Sequence, residues 1–202
     1  MKGKRLKPAV FLDRDGTIIE DRGNLAHSSE IEIYPFSFSA LKMLQKNYLL
    51  FIVTNQSGVG LGKVSMEEVS RVNEYLLSVL RENGIMIQRL YCCSHKRDDQ
   101  CRCIKPNPYF IHEAMKEYNL DISKSFSIGD HPHDVTFGKF AGGTGLYVLT
   151  GHGRKHLNEI ENGTLCFENL YDAANWIDKL QVKESDNAAG QVFLPKAFQS
   201  SC

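Results

Sequence analysis

Five short apolar runs, each giving way to polar residues, set the strongest limit on how this chain can fold. Ala9–Leu12 stops at Asp13, and Tyr48–Val53 stops at Thr54. Ile87–Tyr91 runs into Cys92 and Cys93, Ser125–Ile128 into Gly129-Asp130, and Gly145–Leu149 forms the last run. Between them lie segments of helical pattern. Ser39–Lys46 places Leu41 and Leu44 on one face, and Tyr109–Tyr118 follows Pro108. A longer helix is expected after the cap residue Ser65, with Glu67 and Glu68 in its first turn. Its apolar stripe is Val69, Val72, Leu76, Val79 and Leu80, and Leu170–Leu180 closes the pattern. Strands alternating with helices predict an α/β, Rossmann-like parallel sheet covered on both faces. Such sheets bind ligands at the carboxyl ends of their strands, so the polar residues after each run are expected at one edge.

The 202 residues suffice for one domain, expected over residues 1–180. Residues 181–202 read as a C-terminal extension in which Val192-Phe193-Leu194 could dock on the body. Lys plus Arg equals Asp plus Glu at 24 each, which argues against a broad nucleic-acid surface or a polybasic membrane anchor. No apolar run approaches the roughly 18 residues of a spanning helix, and no secretory apolar core follows the basic start. The expectation is a cytoplasmic protein with no nucleic-acid or membrane partner. The sequence does not specify an oligomeric state and is compatible with a monomer.

Four segments carry chemistry. Asp13-Arg14-Asp15-Gly16-Thr17 puts two carboxylates directly after a strand, an arrangement that calls for a hard cation such as Mg²⁺. Asp13 could attack phosphorus and Asp15 protonate the leaving oxygen. Thr54-Asn55-Gln56-Ser57-Gly58 offers hydroxyls, amides and backbone N–H groups to a phosphate. Lys105, before Pro106, could neutralise charge on the transferring group. In Gly129-Asp130-His131-Pro132-His133-Asp134, Asp130 could complete the magnesium site. Asp134 could ligate, orient a ligand, or cap the next helix.

Six cysteines are present, four of them between Cys92 and Cys103. In a cytosolic chain such clustering favours metal over disulfides. Cys93, His95, Cys101 and Cys103 form a Cys₃His set suited to a closed, structural tetrahedral zinc site. Cys92 competes with Cys93, since adjacent strand residues point to opposite sides. Cys166 and Cys202 are isolated thiols.

Asp13 to Thr17, Thr54-Asn55, Lys105 and Gly129-Asp130 resemble the four ordered motifs of the haloacid dehalogenase superfamily. The resemblance implies an aspartyl-phosphate on Asp13, acid–base work by Asp15 and phosphate contacts from Thr54 and Lys105. It also implies Mg²⁺ held by Asp13, Asp130 and the main chain at Asp15. The C-x-H and C-x-C-x-K-P pattern, with Asp-Arg-Asp-Gly-Thr, further resembles the heptose bisphosphate and histidinol-phosphate phosphatases. That likeness selects Cys93, His95, Cys101 and Cys103 as the Zn²⁺ ligands. It assigns substrate contacts to Asp21, Arg22, Gly23 and Asn24, and to Asn55, Gln56 and Ser57. Ile104 and His131 stand at substrate-facing positions where basic residues are usual, and isoleucine cannot grip a phosphate as arginine can. Lys96, Arg97 and Arg102 lie close enough in sequence to compensate.

The gaps between motifs leave no room for a cap domain, so an essentially capless, open site is expected. The leading expectation is hydrolysis of a small sugar phosphate, with D-glycero-D-manno-heptose 1,7-bisphosphate foremost. Histidinol phosphate is the alternative within the class. A zinc-stabilised module without catalysis, or a nucleic-acid end-processing phosphatase, would be different classes. The Asp13/Asp15 pair argues against the first, and zero net charge against the second.

Overall fold

The computed structural model describes residues 6–188, with side-chain surroundings through Gln181. Val192-Phe193-Leu194 and Cys202 lie outside the described residues. The elements run β1 (Ala9–Leu12), α1 (Pro35–Leu44), β2 (Leu49–Asn55), α2 (Ser57–Gly60), α3 (Met66–Glu82), β3 (Ile87–Cys93), α4 (Tyr109–Tyr118), β4 (Phe126–Gly129), α5 (Pro132–Phe140), β5 (Thr144–Val148), β6 (Leu165–Phe167) and α6 (Leu170–Ala188). The six strands form one parallel sheet in the order β3-β2-β1-β4-β5-β6.

β1 lies mid-sheet and is buried on both faces, which is why it reads as an unbroken apolar run. Alternation sends Val10 and Leu12 into a core shared with α1, α3 and α6. Ala9 and Phe11 enter a second core with Ile111 and Ala114 of α4 and Phe137 of α5. The two cores fix the pleat of β1, so a one-residue slip would exchange its faces and turn Asp13 away from the site edge.

The capping box at α3 is formed: Ser65 Oγ accepts from the Glu68 amide at 3.1 Å, and Glu68 Oε2 accepts from the Ser65 amide at 2.7 Å. Other boundaries differ from expectation. α1 begins at Pro35 rather than Ser39, because proline is favoured in a first helical turn. α6 continues past Leu180 to Ala188. β6, a three-residue edge strand, is too short to leave a sequence pattern.

Candidate active site

At the carboxyl edge of the sheet, β1 delivers Asp13, β2 delivers Thr54 and Asn55, and β4 delivers Asp130. Lys105 joins them from the segment before α4. Its Nζ donates to Asp13 Oδ1 at 2.5 Å and to the Val53 carbonyl at 2.8 Å. The same ammonium lies 2.6 Å from Asp134 Oδ1. Asn55 Oδ1 accepts from the Lys105 amide at 3.2 Å, tying the two loops together.

Burial pushes the Asp13 carboxyl up to about 7, with Lys105 opposing and Asp134 and Asp15 adding to the rise. Burial, then the charges of Asp13 and Asp134, pushes Asp130 to about 8. Burial alone would lower the Lys105 ammonium, but Asp13 and Asp134 outweigh it and hold it above its ordinary range. Asp13, Asp130 and Asp134 offer oxygens within 4.8 Å of one another. Three crowded carboxylates facing one lysine fit a hard divalent cation. Asp134 is already engaged, accepting from the His131 amide at 3.0 Å as well as pairing with Lys105. Asp13 and Asp130 are engaged as well, by Lys105 and by the His152 amide, so all three carboxylates stand as candidates for the cation. Asp134 sits in the first turn of α5 and His131 occupies the cap position, a shift from the expected cap at Asp134 itself.

Asp15 is held by a different set of partners. Arg14 Nε and Nη2 donate to its two oxygens at 3.0 Å each. Gln56 Nε2 adds 2.8 Å and Thr54 Oγ1 3.3 Å, both to Oδ2. Gln56 also donates to Thr54 Oγ1 at 2.7 Å, so its amide is bound inside the site instead of reaching outward to substrate. Arg14 is fully buried, and its third anchor is Asn73 of α3 at 2.6 Å. Neither Arg14 nor Asn73 stands out in the sequence, because one reads as a turn residue and the other lies within an apolar helical stripe.

A cavity of about 230 Å³ opens over these groups. Of the expected substrate contacts, Asp21, Asn55, Ser57, Ile104 and His131 line it. Arg22, Gly23, Asn24 and Gln56 do not: Arg22 pairs with Glu32, and the Gly23 amide donates to Asp21 Oδ1 at 2.8 Å. Arg97, His133 and His152 also line the cavity. His152 belongs to the loop after β5, where its amide donates to Asp130 Oδ2 at 2.7 Å and its Nδ1 lies 3.0 Å from Asp21. Applying the strand-end rule to β5 would have found it.

That loop closes tightly on β1. Gly16 has φ +78°, and a Cβ there would lie 2.2 Å from Asp130 Oδ2. A Cβ on Gly151, at φ +53°, would lie 2.4 Å from Gly16 Cα. Backbone this close to the Asp130 carboxylate and to the facing loop requires glycine at both positions.

Beside the cavity, Cys93, His95, Cys101 and Cys103 converge with donor atoms within 4.8 Å of one another. Cys103 Sγ is 3.0 Å from both Cys93 and Cys101, and His95 Nδ1 is 3.1 Å from Cys101. Sulfurs this close are pressed inside ordinary van der Waals contact, and the set fits one tetrahedral zinc. Cys92 pairs in register with Thr54 and lies outside the cluster; burial pushes its thiol up to about 11.

A family model of HAD-hydrolase-like proteins matches residues 102–173. A probable D-glycero-D-manno-heptose-1,7-bisphosphate 7-phosphatase of Thermoplasma acidophilum is 40% identical over 68% of this chain and 85% of its own. The D-glycero-beta-D-manno-heptose-1,7-bisphosphate 7-phosphatase of Helicobacter pylori is 34% identical over 84% and 96%. Among solved structures, the D,D-heptose 1,7-bisphosphate phosphatase of B. bronchiseptica, complexed with magnesium and phosphate, superposes with a TM-score of 0.78 at 27% identity, covering 87% of this chain and 99% of that one. Sheet, strand-end carboxylates and relatives together define a phosphoric monoester hydrolase of the haloacid dehalogenase superfamily. Within it, the chain belongs to the D-glycero-D-manno-heptose-1,7-bisphosphate 7-phosphatase family. No helix of the described residues is long and apolar enough to cross a membrane.

Proposed function

We propose that the chain removes the 7-phosphate of D-glycero-D-manno-heptose 1,7-bisphosphate, using Asp13 as nucleophile and magnesium as cofactor. The observation that carries this reading is the ammonium of Lys105 bridging Asp13 and Asp134 beside Asp130, in a cavity open to a small phosphorylated sugar. Asp13 and Asp130, with the main chain at Asp15, would hold Mg²⁺, which supplies positive charge to the transferring phosphoryl oxygens.

Asp13 attacks phosphorus and the sugar oxygen departs, taking a proton from Asp15. Asp15 then accepts a proton from the water that attacks the aspartyl-phosphate, releasing inorganic phosphate and restoring Asp13. Thr54 and the backbone of the turn at Ser57 bind phosphoryl oxygens, and Lys105 offsets their charge. Cys93, His95, Cys101 and Cys103 hold a structural zinc that fixes the loop leading to Lys105. The site lies inside the cell on this reading.

Phosphate release from the heptose bisphosphate, with and without Mg²⁺, tests the proposal. Magnesium-dependent release is expected. Release from histidinol phosphate but not from the sugar would replace the substrate, and release from no phosphorylated sugar would remove the reading.

A further inference from the structure

The cavity is lined by two chemically different sets of side chains. One is the carboxylates Asp13, Asp15, Asp21, Asp130 and Asp134. The other is a column of cation and imidazoles. The guanidinium of Arg97 lies 3.2 and 3.4 Å from the two ring nitrogens of His133. His133 stacks on His131 with ring centroids 4.5 Å apart and planes within 6°, and His131 packs on His156 at 4.6 Å. Arg97, His131 and His133 face the cavity.

Charge pairing singles out Arg97. The other Lys or Arg lining the cavity, Lys105, is committed to Asp13 and Asp134. Lys96 lies 3.8 Å from Asp99, and Arg102 lies over the ring of Tyr109 at 4.7 Å. Among the described residues, no carboxylate stands within ion-pair distance of Arg97. A guanidinium at a cavity wall without an acidic partner, beside two imidazoles that also face the cavity, is matched to an anionic group with several oxygens.

We propose that Arg97 and His133, backed by His131, bind the phosphate of the substrate that is not hydrolysed. This rests on the reading that the substrate is a sugar bisphosphate, and it names the groups that distinguish such a substrate from a monophosphate. The two sets then divide the work. The carboxylate set, with its cation, takes the reacting phosphate, and the Arg97 column holds the remote one and thereby orients the sugar between them.

The test uses the full chain with Mg²⁺ and zinc, carrying Asp13→Asn so that ligand is not consumed. Equilibrium titration compares the heptose 1,7-bisphosphate with the 7-phosphate. The bisphosphate should bind at least ~10-fold more tightly, the scale of one charge-assisted contact. Adding Arg97→Ala or His133→Ala should reduce that preference at least ~10-fold, and Arg97→Lys should keep part of it. Equal affinity for the two ligands, binding of neither, or equal weakening of both by Arg97→Ala would overturn the proposal. Failure of the catalytic reading looks different: the wild-type chain would release no phosphate while the binding preference stood.

Discussion

The guanidinium of Arg14 holds both carboxylate oxygens of Asp15 at 3.0 Å while a third nitrogen reaches Asn73. Asp15, the proposed acid–base residue, is thereby aimed by a side chain with no exposure of its own. Arg14→Lys keeps the charge and loses the fork, so kcat should fall by about 10- to 100-fold with KM little changed. Arg14→Ala leaves Asp15 and Asn73 without their partner and should destabilise the fold by about 3 kcal/mol, read by denaturant melts. A kcat unchanged in Arg14→Lys would show that Asp15 finds its position without the fork.

Asp13→Asn removes the carboxylate proposed to attack phosphorus but preserves the shape of the site. Turnover should drop by at least ~10³-fold. Without metal, the variant should be no less stable than the parent, because it deletes one of several mutually repelling carboxylates. Substantial residual turnover would take the nucleophile role from Asp13.

The raised carboxyls of Asp13 and Asp130 give the metal-free protein a characteristic pH response. Between about pH 4 and pH 8 the folded state keeps protons that the unfolded chain has lost. These two groups make the metal-free form less stable as pH rises through that window; His131 and His133, whose imidazoles burial holds low, act oppositely below about pH 6.5, so the net fall is expected between about pH 6.5 and pH 8. Mg²⁺ binds the ionised carboxylates, so excess Mg²⁺ should flatten the slope and should bind more tightly at pH 8 than at pH 6. Thermal melts across that range, with and without Mg²⁺, give the answer; a slope of the opposite sign would contradict the burial of these groups.

Elemental analysis should find about one zinc per chain. Cys93→Ser and Cys103→Ser should lose the metal and lower the melting temperature, whereas Cys92→Ser should retain it. Zinc lost from Cys92→Ser and kept by Cys93→Ser would reverse the assignment of the two neighbours.

Much of this organisation can be read from residue order. Asp13, Thr54, Asn55, Cys93 and Asp130 lie at or just beyond the carboxyl ends of four strands, and a parallel sheet brings strand ends together whatever their separation in sequence. Zinc-ligand spacing is likewise local. The supports are harder to see, because they depend on which side chain meets which after folding. Arg14 is joined to Asn73 across 59 positions, and nothing in the stripe of α3 marks Asn73 as its anchor. Gln56 reads as a substrate contact, but its amide turns inward to Asp15. His152 and His156 go unmarked because the run Gly145–Leu149 gives way to Thr150-Gly151 with no charged residue at its end, and Arg97 is one basic residue among several nearby.

The metal loop has anchored ends and an open middle. Cys93 closes β3, and Lys105 is fastened to Asn55 and Asp13, while Lys96 to Gln100 lie exposed between them. Substitutions in that stretch leave the anchors of Lys105, the lysine proposed to serve phosphoryl transfer, in place. The fold thus sets the groups around Asp13 apart from the stretch that carries Arg97: on the proposed reading, a change in the middle of the loop would alter which leaving group is held and leave the reacting groups in place.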